Sequence, residues 1–297
     1  MKQKINHLLE LVRTESESIC RITSINPYAY GVENCVFKVT TEEWNEVVIR
    51  VPWNRFSSNE TDGDIDSRRG LEKEVSLTEH CFHKGIPVPE IFYVQFGEKT
   101  DFIIQEFIEG DDRGASIEEV GVLVHKLHNM ALPPEHVNLT RDINHDLSRR
   151  IIERTEAFER FSGQHFPLPE QLELQSILNS YPSKSRLLHM DIRLENLIFC
   201  NRRIKAIFDW TNALIGDPVL ELMRIQDYRL LNDDFIKGYP NFETEMKRVP
   251  DIVTWLYQYD TAVMLTLLFY TELDDKQQGE QAKNRLTTLY EKIKAEI

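Results

Sequence analysis

The sequence predicts an α+β protein in two parts, with an antiparallel sheet in residues 1–108 and mainly helices in residues 109–297. The first part alternates short apolar segments with turn-forming residues, which is typical of paired strands. After residue 116, apolar residues recur at the spacing of amphipathic helices. At 297 residues the chain is long enough to bury a sizeable core in one or two domains.

The first elements are a helix and a hairpin. Ile5, Leu8, Leu9 and Val12 are spaced i, i+3, i+4 and i+7, which predicts an amphipathic helix. Two strands follow, with a turn at Asn26-Pro27 and a loop after it. The predicted strands are 21–25 and 35–40, and the loop is 28–34.

The rest of the first part contains three more strands and a helix. Residues 47–52 are predicted to be the third strand, and the polar residues 54–69 are predicted to be a flexible loop. Residues 71–83 are predicted to form a helix that Lys84-Gly85 closes, since glycine is common just past a helix end. The remaining strands, 91–96 and 102–107, are predicted to pair around a polar turn.

The second part is predicted to be mostly helical. Ser116 and Glu119 form a capping box, which predicts a helix start there. Further helices are predicted at about 142–160, 169–180, 219–229, 242–248, 251–271 and 277–296.

The most informative stretch lies between Leu187 and Pro218. Two apolar segments flank a polar turn at 201–203, which predicts a hairpin. This hairpin would bring Asn196 and Asp209 together, with Asp191 nearby. Magnesium prefers such hard oxygen ligands and needs only one or two of them from the protein when it also binds phosphates. The alternative is a surface hairpin with solvated side chains.

The pattern H-x-D-x-x-x-x-N followed by I-F-D-W resembles the catalytic and metal-binding loops of the protein-kinase-like phosphotransferases. It is closer to the aminoglycoside phosphotransferase and choline kinase branch, which also has a Gly-Asp-Pro here, at 216–218. The resemblance implies a bilobal, protein-kinase-like fold with a nucleotide-binding lobe (1–108) and a catalytic and substrate-binding lobe (109–297). It implies that Asp191 accepts or orients the proton of the acceptor hydroxyl, that Asn196 and Asp209 bind Mg²⁺, and that ATP or GTP is the co-substrate.

The resemblance also implies residues that bind the nucleotide. Gly31 and Asn34 match a reduced glycine-rich loop, although a plain hairpin turn explains them equally well. Arg50 occupies the position of the usual phosphate-binding lysine, and its planar fork suits phosphate oxygens. A solvent-directed arginine is the alternative. Glu74 is the expected partner of Arg50, with Glu72 as the fallback.

Two further roles follow from the same resemblance. The purine is expected against a hinge formed by Gln105, Glu106 and Phe107. Arg193 is expected to contact the transferred phosphoryl group and neutralise its charge.

The acceptor is predicted to be a small, cationic molecule. In aminoglycoside kinases, acids near the C-terminus bind the ammonium groups of the drug, which makes Asp260, Glu272 and Asp274 candidates. A solvated turn between helices is the alternative for each. The net charge of −14 is compatible with a cationic substrate, although it equally suits simple solubility.

Composition excludes several other classes. The acidic balance, without a basic stripe, argues against nucleic acid as a partner. Four widely spaced cysteines fit reduced thiols in a cytoplasmic protein. The longest apolar run, near 262–270, is shorter than a membrane span, and no obligate protein partner is evident.

The first hypothesis is therefore a kinase for an aminoglycoside or related antibiotic, which would confer resistance. The alternatives are a metabolic kinase for choline, a sugar, homoserine or a similar molecule, and a catalytically silent nucleotide-binding module. A protein kinase is disfavoured because Trp210 replaces the usual Phe-Gly and no Ala-Pro-Glu segment follows.

Overall fold

The computed structural model describes residues 2–31, 34–59, 63–111, 113–134, 137, 139 and 142–297. Val32 and Glu33 of the predicted first loop, and residues 60–62 of the predicted polar loop, lie outside the described residues. The chain divides into two compact units. The first comprises Met1–Ser58, Asp64–Ala115 and Leu194–Thr211, and the second comprises Asn59–Gly63, Ser116–Arg193 and Asn212–Ile297.

A five-stranded antiparallel sheet forms the centre of the first unit. The elements are α1 (Lys2–Ser16), β1 (Ile22–Tyr30), β2 (Asn34–Thr41), β3 (Asn45–Pro52), β4 (Phe56–Asn59), β5 (Gly63–Asp66), α2 (Ser67–His83), β6 (Ile91–Phe96) and β7 (Asp101–Glu106). The strand order of the sheet is β1-β2-β3-β7-β6, so β3 lies in the middle. One face buries a core that includes Phe37, Ile49 and Phe102, and helix α1 contributes Leu8 and Val12 to it. The predicted antiparallel sheet is confirmed.

Two predictions for this unit are wrong. Strand β1 runs through Asn26-Pro27, where a turn is predicted. Proline is tolerated because β1 is an edge strand, where a missing N–H need not cost a ladder hydrogen bond, and the register shifts after Pro27. The region 54–69 contains the strand pair β4 and β5 instead of a flexible loop, because backbone pairing does not require apolar side chains.

Helices dominate the second unit, as predicted. They are α3 (Ile117–Asn129), α4 (Ile143–Ser162), α5 (Gln171–Leu178), α6 (Pro218–Asp227), α7 (Asp233–Gly238), α8 (Phe242–Lys247), α9 (Asp251–Leu267) and α10 (Lys276–Glu296). The Ser116 hydroxyl accepts the Glu119 N–H at the start of α3, so the predicted cap is present.

Two short antiparallel pairs lie between α5 and α6 in the chain. Strand β8 (Arg186–Leu188) pairs with β11 (Leu214–Gly216), and strand β9 (Leu197–Cys200) pairs with β10 (Arg203–Ile207). The second pair is the predicted hairpin near residue 200, and a 3₁₀ turn (Leu194–Asn196) leads into it. Its two-residue turn has Asn201 and Arg202 at φ 53° and 64°, as hairpin turns of the primed type require.

The hairpin β9–β10 belongs to the first unit. The Asp111 N–H donates to the Phe199 carbonyl (2.9 Å), and the Ile207 N–H donates to the Pro87 carbonyl (2.8 Å). These backbone hydrogen bonds attach both strands of the hairpin to the unit that contains the five-stranded sheet. The first unit therefore contains a segment that the prediction assigned to residues 109–297.

Helix α9 continues through a π-helical turn to Glu272. By length and composition, Asp251–Glu272 is apolar enough to cross a membrane, which the sequence prediction did not anticipate. However, 67% of its most apolar window is buried inside the protein. This burial is typical of the core helix of a globular unit.

Candidate active site

The hairpin β9–β10 positions the two predicted metal ligands at its open end. The Phe208 N–H donates to the Asn196 carbonyl (3.2 Å), which holds the residue before Asp209 against Asn196. Asn196 is 4% exposed. The Asp209 backbone is left-handed (φ 71°), and the Thr211 hydroxyl donates to its Oδ1. Such backbone strain in a non-glycine residue is often found at functional sites.

Arg50 and Glu74 form a buried, two-pronged ion pair within the same unit. Glu74, and not the exposed fallback Glu72, is the partner. The Asp209 backbone also hydrogen-bonds to the Glu74 carboxylate. Burial raises the pKa of Glu74, the Arg50 charge opposes this rise, and the Asp209 charge adds to it. One carboxylate therefore joins the predicted phosphate-binding arginine to the predicted metal-binding loop.

The chemistry of these side chains fits magnesium. An amide oxygen and a carboxylate are hard ligands, and Mg²⁺ is commonly bound by one or two such groups together with phosphates and water. In the parts of the chain that the structure describes, no group of three or more His, Cys, Asp or Glu side chains could hold a metal ion. Any magnesium here would rely on the smaller set of Asn196 and Asp209.

The predicted nucleotide contacts lie on the sheet of this unit. The Gly31 N–H donates to the Asn34 carbonyl (2.9 Å), which closes the first hairpin. A Cβ added at Gly31 would meet no atom within 4 Å, so the space beside it is open. Gln105 and Glu106 end β7, where they pair with β3. The Phe107 ring follows, with the Lys38 ammonium 3.8 Å from its centroid. Nucleotide binding by these residues stays a prediction.

Asp191 lies in the second unit and receives several polar contacts. Its backbone N–H donates to His189 Nδ1 (3.2 Å), so His189 braces the loop. Its Oδ1 accepts a hydrogen bond from the Tyr228 hydroxyl (3.1 Å). Its Oδ2 lies 3.1 Å from Nη2 of Arg193, whose side chain is 44% exposed. The carboxylate is thus paired on both oxygens.

Helix α6 holds the peptide just before Asp191. The Met190 N–H donates to Glu221 Oε1, and the Met190 carbonyl accepts from Arg224 Nη1 (3.0 Å). Met190 is left-handed (φ 64°), so these two contacts hold a strained backbone. His128 Nε2 lies 2.7 Å from the other oxygen of Glu221, and both of these side chains are buried.

Sequence analysis does not identify Arg224 and Tyr228, which contact this loop. The available signal was their spacing: 221, 224 and 228 lie at i, i+3 and i+7, on one face of the predicted helix. A charged residue on the buried face of an otherwise apolar helix needs a polar partner. The sequence does not name that partner.

Asp260 is a correction among the predicted acceptor-binding residues. Its side chain is fully buried and paired with Arg150 (2.7 Å) and Arg154 (3.0 Å) of helix α4. Burial alone would raise the pKa of Asp260, but the two guanidinium groups outweigh it and lower the pKa to about 2. This carboxylate is committed inside the protein and is not available to an ammonium group. Glu272 is partly exposed and Asp274 is exposed, so both stay candidates.

The sequence was compared with models of known protein families. The model of the phosphotransferase enzyme family matches residues 24–246, which is most of the chain. The chain belongs to the phosphotransferase enzyme family. The predicted family and enzyme class, a phosphotransferase acting on a hydroxyl group, are thereby confirmed.

Several solved aminoglycoside phosphotransferases have a similar fold. The phosphotransferase described here superposes on a mutant aminoglycoside 2'-phosphotransferase-IIIa in complex with GDP, with a TM-score of 0.62, 17% identity and coverage of 98% of this chain and 97% of that chain. It also superposes on a thermostable mutant of APH(4)-Ia bound to ADP and hygromycin B, with a TM-score of 0.61, 15% identity and coverage of 95% and 96%. A third is the GDP and kanamycin complex of APH(2")-IIIa, with a TM-score of 0.60, 16% identity and coverage of 98% and 99%.

No curated protein sequence matches this phosphotransferase. At the identities above, the solved structures establish the protein-kinase-like fold and leave the acceptor open. The predicted fold class is confirmed.

Proposed function

We propose that this phosphotransferase transfers the γ-phosphoryl group of ATP or GTP to a hydroxyl of a small, cationic molecule. The observation that carries the proposal is the link from Arg50 through Glu74 to the backbone of Asp209. It joins a cation suited to phosphate oxygens and a carboxylate suited to Mg²⁺ through one buried group. That arrangement is what phosphoryl transfer, a reaction of positioning and charge neutralisation, requires of a protein.

The chain's own residues have distinct roles in this reaction. The acceptor oxygen forms a bond to the γ-phosphorus, the bond from that phosphorus to the β-phosphate oxygen breaks, and the nucleoside diphosphate leaves. Asp191 orients the hydroxyl and takes up its proton. Arg193 contacts the transferred group and offsets its charge.

Asn196 and Asp209 would hold magnesium, and Arg50 would hold the nucleotide phosphates. The bound metal would neutralise charge on the phosphate oxygens. Gly31 and Asn34 would cover the phosphates, and the backbone at Gln105, Glu106 and Phe107 would bind the purine.

An aminoglycoside or related antibiotic is the first acceptor to test. Two solved structures of similar fold are complexes with hygromycin B and with kanamycin, and the net charge of −14 would attract polycations. Glu272 and Asp274 are the proposed contacts for ammonium groups. We further propose that the protein is soluble and cytoplasmic, where nucleotide is available, that it confers antibiotic resistance, and that it needs no protein partner.

Nucleotide consumption by the purified protein tests this function. The assay uses Mg²⁺ with ATP or GTP and a panel of kanamycin, hygromycin B, streptomycin, choline, homoserine and simple sugars. Stimulation by an aminoglycoside supports the proposal. Stimulation only by choline, homoserine or a sugar indicates a metabolic kinase, and tight nucleotide binding without any stimulation indicates a silent binding module.

Replacing Asp191 by alanine should separate chemistry from binding. We expect Asp191→Ala to lower kcat by about 10²- to 10⁴-fold, the usual contribution of a positioned acid–base group. Nucleotide affinity, measured by calorimetry, should stay at the wild-type value.

Asp209→Ala should instead weaken nucleotide binding in the presence of Mg²⁺ and have little effect in EDTA. Asp64→Ala, which removes an exposed carboxylate, is the control. Wild-type turnover by Asp191→Ala contradicts the proposed mechanism.

A further inference from the structure

One face of helix α6 holds the catalytic loop at three points. Glu221 accepts a hydrogen bond from the Met190 backbone N–H, and Arg224 donates one to the Met190 carbonyl. Tyr228, at the end of the helix, donates to the Asp191 carboxylate. The first two contacts fix the backbone, whereas the third reaches the proposed reacting group itself. Tyr228 is therefore different in kind from the other two.

We propose that Tyr228 is a positioning residue that fixes the Asp191 carboxylate through Oδ1 and leaves Oδ2 to take up the proton of the acceptor hydroxyl. This inference rests on the proposed function, because it refines the role given there to Asp191. It adds a residue that acts through Asp191 and does not touch the substrate.

The geometry of the two oxygens supports this division. The Tyr228 hydroxyl lies 3.1 Å from Oδ1. Tyr228 is itself anchored, because its backbone N–H donates to the Arg224 carbonyl (3.0 Å) and caps the helix. Arg193, in contrast, approaches Oδ2 with a side chain that is 44% exposed. The partly exposed Arg193 side chain can turn toward a phosphoryl group at little cost in free energy. Tyr228, in contrast, is held by its backbone at the end of helix α6.

The Tyr228 hydroxyl is a donor at every relevant pH. Burial raises the pKa of Tyr228 to about 12, the Arg224 and Arg193 charges oppose the rise, and the Asp191 charge adds to it. The hydroxyl therefore keeps its proton throughout the neutral range. A neutral donor to a carboxylate holds its rotation without competing for the proton that Oδ2 receives.

The reaction needs this control because a carboxylate turns about its single bond to Cβ. A rotated carboxylate would leave the acceptor hydroxyl in place but misdirect the accepting oxygen. Such misalignment lowers the rate of the chemical step more than it affects substrate binding. The expected signature of Tyr228 is thus a change in kcat with KM preserved.

The experiment compares Tyr228→Phe with the wild type, using Mg²⁺, GTP and ATP and the panel acceptor that gives the highest turnover. Phenylalanine keeps the ring and removes only the hydroxyl. We expect kcat to fall about 10- to 100-fold, the loss of one hydrogen bond to a charged group. KM for nucleotide and acceptor should stay within about twofold, since ground-state contacts are retained.

The Tyr259→Phe variant is the matched control. It removes a buried tyrosine hydroxyl in the same unit, one that contacts the Thr155 hydroxyl at 3.2 Å, and should keep the wild-type kcat.

A double mutant distinguishes action through Asp191 from a general structural role. In the Asp191→Ala background, Tyr228→Phe should have no further effect on residual turnover, because two residues that act as one unit are not additive. A wild-type kcat for Tyr228→Phe overturns the inference, and so does an equal loss in both backgrounds. The proposed function fails separately, if Asp191→Ala itself keeps wild-type turnover.

Discussion

Asp227 is a buried carboxylate at the last position of helix α6, with a side chain that is only 7% exposed. Its Oδ1 accepts a hydrogen bond from Arg285 Nε (3.2 Å), whereas its Oδ2 has no hydrogen-bond partner among the described residues. Burial raises the pKa of Asp227 to about 6, and the charges of Arg285 and Arg224 only partly offset it. The ionised form of this residue is therefore costly near neutral pH.

The sign of the pH effect follows from linkage. A carboxyl whose folded pKa is raised contributes stability below its unfolded pKa, and that contribution is lost as pH rises through the folded value. As pH rises from 5 to 7.5, the wild type should lose free energy of unfolding and Asp227→Asn should not. We therefore expect the free energy of unfolding of Asp227→Asn to increase by about 1–1.5 kcal/mol relative to that of the wild type over this pH range. Denaturant unfolding of both proteins at these two pH values measures the difference. A pH-independent difference between them contradicts the assignment.

At this scale the sequence predicted residues whose partners are set by a motif and missed those set by packing. Arg50 and Glu74 were paired from the sequence because each has a fixed place on a strand and on the helix after it. Tyr228 was missed because its partner, Asp191, is 37 positions away. Asp260 is wrongly expected at the acceptor site because the sequence does not show its ion pairs with Arg150 and with the arginine one turn further along α4.

Among the elements, helices α3 and α7 make a contact that depends on glycine. A Cβ added at Gly121 would lie 2.1 Å from the Phe235 carbonyl oxygen, and one added at Gly238 would lie 2.0 Å from the Glu118 carbonyl oxygen. Both obstacles are backbone atoms, which cannot move aside as side chains can. The two helices therefore approach backbone to backbone at this point.

Replacing the first of these glycines tests the contact. We expect Gly121→Ala to destabilise the protein by about 2–3 kcal/mol, the upper range for overpacking, despite the better helix propensity of alanine. Gly70→Ala in helix α2 is the matched control, because the new methyl group would meet only the Thr211 side chain at 3.6 Å. That variant should gain up to about 1 kcal/mol. Equal unfolding midpoints for the two variants would falsify the contact.

The helices and most strands could be predicted because their apolar spacing is local. Two regions of the first unit are exceptions. Asn26-Pro27 is a turn signal in isolation, and only its place at the sheet edge permits a strand. Strands β4 and β5 have only one apolar residue each, Phe56 and Ile65, so no hydrophobic alternation marks them. In both cases the pairing of backbone groups decided the outcome, and side-chain patterns do not report it.

At the scale of the whole molecule, the second unit contains a buried charge cluster. Asp260 on α9 pairs with Arg150 and Arg154 on α4, and these two helices pack together in the core of the unit. Buried ion pairs contribute little net stability when complete, but removing one partner leaves the other charge without compensation. The cluster is thus a vulnerable point for the fold.

We expect Asp260→Asn to destabilise the protein by about 3–5 kcal/mol at pH 7. The control is Asp146→Asn on helix α4, whose 3.8 Å contact with Arg149 is exposed and should contribute less than about 1 kcal/mol. Because the pKa of Asp260 is lowered to about 2, the stability it contributes is present above pH 4 and is lost as pH falls toward 2. Thermal unfolding near neutral pH compares the stability of the two variants. A similar loss of stability in both would contradict the role proposed for the buried ion pairs of Asp260.

The composition of the two units has a consequence for how the chain folds during synthesis. The first unit includes the segment Leu194–Thr211, whose β9–β10 hairpin hydrogen-bonds to Asp111 and Pro87. When residue 115 emerges from the ribosome, this segment has yet to be made, and at about 5–20 residues per second it is complete roughly 5–19 seconds later. The five strands of the sheet and its core, which runs from Leu8 to Ile104, are synthesised before the hairpin. The backbone groups of Pro87 and Asp111 therefore lack these hydrogen-bond partners while the first helices of the second unit are being synthesised. Completion of the first unit therefore depends on contacts that are distant in sequence, and such contacts form slowly.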